Sequence, residues 1–315
     1  VNLSEQLSQW GPAFTVANST APRPSLAEAE AYCRQLATSH YENFSVVSWL
    51  FPRHLHQHLC NVYAYCRWAD DLADEAASPQ QATDLLVWWE AELNQYQQSR
   101  QPVFVALAKT IDQKQIPLTP FRDLLVAFRQ DQVKTRYENW AEVEQYCQNS
   151  ANPVGRLVLH LGECANESTL PLSDSICTGL QHINFCQDVA RDYAKGRIYL
   201  PRDEREAFGW GDERFAEQAA RQATAASPLD GSFRQMLKEQ VDRAEQLLRA
   251  GEPLVKQVGR DLRLPVRLFL DGGLAIARAI RRQDYDVWTR RPVVSKWTKL
   301  KLLVRAYFAS PLFGW

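Results

Sequence analysis

The chain has 315 residues, 45% of them hydrophobic, and its 36 basic and 37 acidic side chains leave a net charge of −1. That length and apolar content suffice for a large core, even within one all-helical domain, and the even charge balance gives no reason to expect nucleic acid as a partner. Seven scattered cysteines without a C-x-x-C pair read as reduced, buried thiols of a cytoplasmic protein.

The opening run VNLSEQLSQWGPAF lacks the basic start and apolar core of a secretory leader. No apolar run reaches the roughly 18 residues of a spanning helix. Residues 1–22, leading into APRP at 21–24, read as an irregular arm. SLAE at 25–28 is a capping box that opens a helix over 25–38. Apolar residues at three- and four-residue intervals then predict helices over 54–75, 79–99, 102–113, 120–132, 140–149, 153–164, 173–194, 212–225, 228–258, 263–283 and 295–308. Ser-Pro at 78–79 and 227–228, and Thr-Pro at 119–120, set a cap before a proline at the first helical position. NWAE at 139–142 is a second capping box. With few Gly and Pro, no strand-like alternation, no short-period repeat and no linker, the fold class is all-α, a single-domain helical bundle. The body spans 23–290. The tail 291–315, with KWTKLKLLVRAYFASPLFGW, either packs on that body or forms an interfacial helix against anionic lipid.

YCRWADDLADE at 65–75 places Asp70, Asp71, Asp74 and Glu75 within six positions. On a helix Tyr63, Arg67, Asp70 and Asp74 follow i, i+4, i+7, i+11 and share one face, with Asp71 beside it. A solvated acidic helix end is the plain alternative, although acids at a C-terminus oppose the helix dipole. QHINFCQDVARD at 181–192 repeats the device, with Gln181, Asn184, Asp188 and Asp192 at i, i+3, i+7, i+11. If the stripes face each other, five or so carboxylates line one cavity, which is tolerable only with cations between them. Hard oxygen donors without His or Cys select Mg²⁺ over Zn²⁺, and Mg²⁺ bridges carboxylates to substrate phosphates. His54 and His58 share a helix face, but no second ligand pair accompanies them, so a polar helix start is preferred to a zinc site. ANPVGR at 151–156 marks a helix break, and Cys147 and Cys186 read as small buried apolar residues rather than nucleophiles.

DDLAD (70–74) and DVARD (188–192) resemble the two aspartate-rich motifs of the squalene/phytoene synthase family. YAYCRWADD (63–71), YCQNSANPVG (146–155), GRIYLP (196–201) and YDVWTRR (285–291) join the resemblance, which runs from about residue 30 to 290. It implies the isoprenoid synthase helical fold with a central cavity and two or three Mg²⁺ ions. It implies Asp70, Asp74, Asn184 and Asp188 as ligands, with Asp71 and Asp192 close by. Tyr63, Arg67 and Gln181 match positions that contact the prenyl diphosphate, and Tyr146 matches a tyrosine that assists ionisation. His40 and Asn43, in HYEN, fall in a diphosphate-contacting turn whose residues differ from the HSKS-like form of carotenoid members. One of Arg281 and Arg282 matches a late diphosphate-binding arginine.

Within the family ENFSV (42–46), SANPVGRLVLHL (150–161) and INFCQDVARD (183–192) are most like the bacterial branch of the hopanoid route to squalene. That branch converts presqualene diphosphate and water to hydroxysqualene and diphosphate, without a nicotinamide. It implies coupling to a presqualene diphosphate synthase and a hydroxysqualene reductase; the cysteines suggest a cytoplasmic location, and so apolar a substrate and product suggest peripheral contact at the inner membrane face. Gln187 departs from the arginine usual in carotenoid- and squalene-forming relatives, which suggests a site for one diphosphate rather than two. The alternatives are presqualene diphosphate, dehydrosqualene or phytoene synthase and, in a different class, a non-catalytic assembly factor of the same fold.

Overall fold

The computed structural model describes residues 3–15, 22–39, 50–222 and 230–295, and among them every regular element is helical. One isolated parallel bridge joins Arg136 and Ile198. The chain divides into two compact units, residues 1–133 with 156–165 and residues 134–155 with 166–315. No linker announces this division in the sequence, because the chain passes between the units at 133/134, 155/156 and 165/166 rather than once.

In the first unit, the arm expected to be irregular forms α1 (Leu3–Trp10) and α2 (Pro12–Thr15). Helices this short are not stable alone. Docking holds them: Leu3 and Gln6 are buried, Trp10 sits edge-on to Phe14 at 4.8 Å, and Trp88 Nε1 donates to Thr15 Oγ1 at 2.9 Å. The capping box at 25–28 closes reciprocally: the Glu28 carboxylate accepts from Ser25 N–H at 2.8 Å, and Glu28 N–H donates to Ser25 Oγ at 3.3 Å. It starts α3 (Leu26–Ser39).

A 3₁₀ turn over Arg53–Leu55 leads into α4 (His56–Asp74). Ser78 caps α5 (Pro79–Asn94) by accepting from Gln81 N–H at 3.2 Å. That helix closes through turns at 95–98 and so ends before 99. α6 (Pro102–Lys114) and α7 (Thr119–Gln130) complete the unit, with Thr119 already helical rather than acting as the cap. α4 packs against α3, α5, α6 and α7. Its inner face is aromatic: Trp68 stacks on Trp89 at 5.1 Å, and Tyr65 meets Phe121 edge-on at 5.0 Å. The polar tips are satisfied, Tyr65 Oη donating to the Phe121 carbonyl and Trp68 Nε1 to Tyr32 Oη, each at 2.9 Å.

The second unit begins with α8 (Trp140–Ser150), where Asn139 Oδ1 accepts from Glu142 N–H at 3.1 Å. Glu142 turns to Glu138 N–H instead of completing the box on Asn139. After the break at Ala151 comes α9 (Asn152–Leu161), which crosses the unit boundary. The helix expected over 173–194 is two: α10 (Thr169–Gln187) and α11 (Val189–Ala194), parted where Asp188 leaves helical geometry at φ −104°, ψ 15°. α12 (Arg202–Ala207) was not expected, and α13 (Asp212–Gln222) follows it. Asp230 caps α14 (Gly231–Ala250), while the Ser-Pro at 227–228 lies outside the described residues. Gly251 to Pro253 separates α15 (Leu254–Gln257), and α16 (Arg260–Arg282) is the last helix among the described residues. The helix expected over 295–308 lies outside the described residues except for Ser295, which is not helical.

α10 packs on both α14 and α16. Gly179 allows a close approach: a Cβ there would sit 3.0 Å from Leu248 N and 3.1 Å from Ala244 O, both backbone atoms. Behind this contact Trp210, Phe215, Phe233 and Trp288 interlock edge-to-face. All seven cysteines are free, and Cys33, Cys60, Cys147 and Cys186 are buried. No helix among the described residues is long and apolar enough to cross a membrane.

Replacing Gly179 with Val forces α10 away from α14 and is expected to cost about 2 kcal/mol or more, the scale of overpacking a core. Gly272→Ala, where a Cβ meets nothing within 4 Å, should stabilise α16 by about 0.5–1 kcal/mol through helix propensity. Urea unfolding of both variants checks the opposite signs.

Candidate active site

The face of α4 away from its aromatic side carries the first stripe, and its acids are not equivalent. Asp71 is 3% exposed and turns inward. Arg67, one helical turn earlier, holds it with two contacts, Nε to Oδ2 at 3.1 Å and Nη2 to Oδ1. The same guanidinium reaches Asp70 at 3.4 Å and Glu75 at 3.7 Å. Burial pushes the Asp71 carboxyl up to about 6 despite the opposing Arg67 charge. Burial disfavours the charged Arg67, but Asp71 and Asp70 outweigh it and hold the guanidinium above its ordinary value. Asp70 is about half exposed and Asp74 is exposed, so both present oxygens to solvent. Tyr63 is half-buried on this side, and burial raises its hydroxyl above the usual range.

The second stripe lies at the end of α10, in the other unit. Gln181 is half-buried and Asn184 exposed. The break at Asp188 lets α11 start afresh, yet Asp192 N–H still donates to Asp188 O at 2.8 Å, which keeps these acids one turn apart. Burial, and then the Asp188 charge, push the Asp192 carboxyl up to about 7, against the pull of Lys195, Arg197 and Arg291. Asp188 itself is held by Arg291, whose Nη2 donates to Oδ2 at 2.8 Å and whose Nε donates to Oδ1. Gln187 is buried. Its side-chain carbonyl accepts from Arg291 Nη2 at 3.1 Å, and its amide donates to the Pro292 carbonyl. Gln187, expected at the substrate, is here bonded to Arg291 and Pro292.

Tyr146 on α8 is buried in an aromatic group of the same unit, 5.5 Å from Tyr137, 5.6 Å from Tyr199 and 6.2 Å from Phe185. Phe185 stacks flat on Tyr199 at 4.0 Å. Sequence reasoning picked out Tyr63 and Tyr146 alone, although GRIYLP contains Tyr199 and the residue after Asn184 is Phe185. Arg281, one of the two late arginines considered, is paired with Asp242 at 2.7 Å and with Glu245, both on α14. Arg282 is exposed. Arg291 was missed, although it closes the quoted run YDVWTRR; spacing along the chain carries no sign that it folds back onto α10. His40 and Asn43 lie outside the described residues.

His56 Nε2 is bonded to the Phe51 carbonyl at 2.8 Å and His58 Nδ1 to Thr110 Oγ1 at 3.0 Å, so both are engaged locally. Burial pushes the Cys147 thiol up to about 12, and Cys186 higher still, as befits inert core cysteines.

Among the described residues no three His, Cys, Asp or Glu side chains gather into a metal-holding group. The donor chemistry nonetheless suits Mg²⁺: carboxylate and amide oxygens only, partly exposed, with the Asp192 charge disfavoured by burial and then by Asp188. Mg²⁺ is commonly held by one or two carboxylates plus a substrate's phosphates rather than by an all-protein cage.

Residues 37–298 match the family model described as Squalene/phytoene synthase. A hydroxysqualene synthase of Sinorhizobium fredii is 40% identical over 227 residues, 71% of this chain and 73% of its own length. A hydroxysqualene synthase of Rhodopseudomonas palustris is 36% identical over 249 residues, 77% of this chain and 80% of its own. Among solved structures, the squalene synthase HpnC from Alicyclobacillus acidocaldarius superposes with a TM-score of 0.77 at 41% identity, covering 82% of this chain and 95% of that one.

The raised Asp192 carboxyl has a direct consequence for stability. Its folded-state value near 7 lies above the ordinary aspartate value, so the native state keeps a proton that the unfolded chain releases. The resulting penalty is absent below about pH 4, grows as pH rises and is complete above about pH 7. Asp192→Asn should therefore raise the Tm of metal-free protein at pH 8 and leave it little changed at pH 4. Thermal melts in chelator across that range check the trend.

Proposed function

Because this chain belongs to the squalene/phytoene synthase family, we propose that it converts presqualene diphosphate and water to hydroxysqualene and diphosphate, with Mg²⁺ as cofactor. The observation that carries the reading is the donor set: two helices each ending in hard-oxygen ligands of the kind that hold a metal–diphosphate. The relatives named hydroxysqualene synthase support the choice of reaction within the family. Asp70 and Asp74, and Asn184, Asp188 and Asp192, are the residues that would hold Mg²⁺, with Asp71 as a buried partner that orients Arg67. Held there, Mg²⁺ would supply Lewis-acid neutralisation of the charge that develops on the leaving diphosphate.

The chain's own groups do the rest. Arg67 and Gln181 orient the diphosphate, Arg67 adding fixed positive charge. Tyr63 and Tyr146 would supply aromatic faces that stabilise a carbocation and exclude stray water. The cyclopropylcarbinyl C–O bond breaks with its electron pair leaving on the diphosphate. One water oxygen then bonds to the cation and loses a proton, so no hydride donor is required.

A second reading, joining of two farnesyl-type diphosphates, is favoured by one observation. The charge absent at Gln187 is present at Arg291, within hydrogen-bond distance of it. The glutamine therefore does not by itself mark a one-diphosphate site. Supplying each substrate alone, with Mg²⁺ and without NADPH, separates the readings. Presqualene diphosphate should be consumed efficiently and farnesyl diphosphate hardly at all; efficient condensation of farnesyl diphosphate overturns the first reading.

Asp70→Asn and Asp188→Asn should each lower turnover by at least about 10²-fold, the scale of losing a charge-stabilising element. Both should keep the native helical circular dichroism. Near-normal rates for both at saturating Mg²⁺ would contradict the assigned ligands.

A further inference from the structure

Arg291 covers both carboxylate oxygens of Asp188 with a planar two-point contact. Nothing local compels this: the arginine lies 103 residues further along the chain. Gln187 holds it there. The buried glutamine accepts from Arg291 and donates to the carbonyl of Pro292, so one side chain grips two consecutive residues of the returning segment. Arg291 Nη2 donates both to Gln187 at 3.1 Å and to Asp188 at 2.8 Å, while the Asp188 backbone N–H is anchored to Asn184 O at 2.9 Å. The pair is accessible as well as specific. Asp188 retains 16% and Arg291 33% side-chain exposure, so water and small cations reach it. A guanidinium and a hard divalent cation contend for the same two oxygens, and both cannot hold them fully.

We propose that Gln187 positions Arg291 as an exchangeable counter-ion for Asp188, filling the cation's place until a divalent metal displaces it. The inference rests on the reading of Asp188 as a metal ligand. It makes Gln187 a positioning residue, acting through Arg291 rather than on substrate. It also means that metal alone binds weakly, because binding must first break a charge-assisted pair.

Mn²⁺ binding to the full chain, without any diphosphate and read from the electron paramagnetic resonance signal of the free ion, tests this. Arg291→Gln should tighten Mn²⁺ about tenfold, the order of one charge-assisted contact. Gln187→Leu, which keeps the guanidinium but removes its seat, should tighten it about threefold, and Asp188→Asn should weaken it. Unchanged or weaker binding in Arg291→Gln, with Asp188→Asn still weakened, overturns the counter-ion while leaving Asp188 a ligand. Wild-type binding by Asp188→Asn overturns both. If Arg291→Gln does not fold, Arg291→Lys and Gln187→Leu decide: tighter binding in both supports the exchange, and binding no tighter in either overturns it.

Discussion

A carboxylate withdrawn from water needs a positive charge within reach, and both acidic stripes are organised by that need. In each, an arginine grips both oxygens of one aspartate, Asp71 in the first and Asp188 in the second, while Asp70 and Asp74 stay open to solvent and Asp192 is half-buried. Arg67 reaches Asp71 from one turn away on the same helix, so the pair is settled as soon as α4 forms. Arg291 reaches Asp188 from a distant segment and arrives only when the second unit has folded. The two pairs differ in burial accordingly. Asp71 is shut in beside the aromatic core, where losing its partner would leave an unpaired buried charge, costing about 3–5 kcal/mol. Asp188 keeps enough exposure to change partners.

The cores exist to hold those acids still. In the first unit Trp68 and Tyr65 anchor one side of α4 against Trp89 and Phe121, and the opposite side is thereby committed to Tyr63, Arg67, Asp70 and Asp74. In the second, Gly179 lets α10 press against the α14 backbone, while Ile183 and Cys186 join the buried cluster below it. What remains outward on α10 is the polar edge that ends in Asp188. Phe185 belongs to both functions, packed under the stripe and stacked against Tyr199 beside Tyr146.

The all-helical fold was legible because helix starts are local chemistry. Ser25 with Glu28, and Ser78 before Pro79, need only neighbouring residues to declare themselves. The stripes were legible for the same reason, since spacing of three and four fixes a helix face. Features that depend on distant partners were not. α1 and α2 are held by contacts to α3 and α5 that no propensity records. The break at Asp188 sits in an unbroken periodic pattern with neither Gly nor Pro. Of the late arginines, Arg281 is claimed by Asp242 and Glu245, whereas Arg291, in a run quoted for its resemblance, folds back onto Asp188. Only three-dimensional pairing shows which acids each of these arginines meets.

The proposed reaction ionises presqualene diphosphate and captures the carbocation with water. The most direct measurement is a single incubation of the protein with presqualene diphosphate and Mg²⁺ in ¹⁸O-enriched water, without any reductant, followed by mass spectrometry of the extracted lipid. Water capture gives an alcohol, hydroxysqualene, carrying one solvent-derived ¹⁸O. An alcohol lacking the label, or a hydrocarbon product, would contradict it.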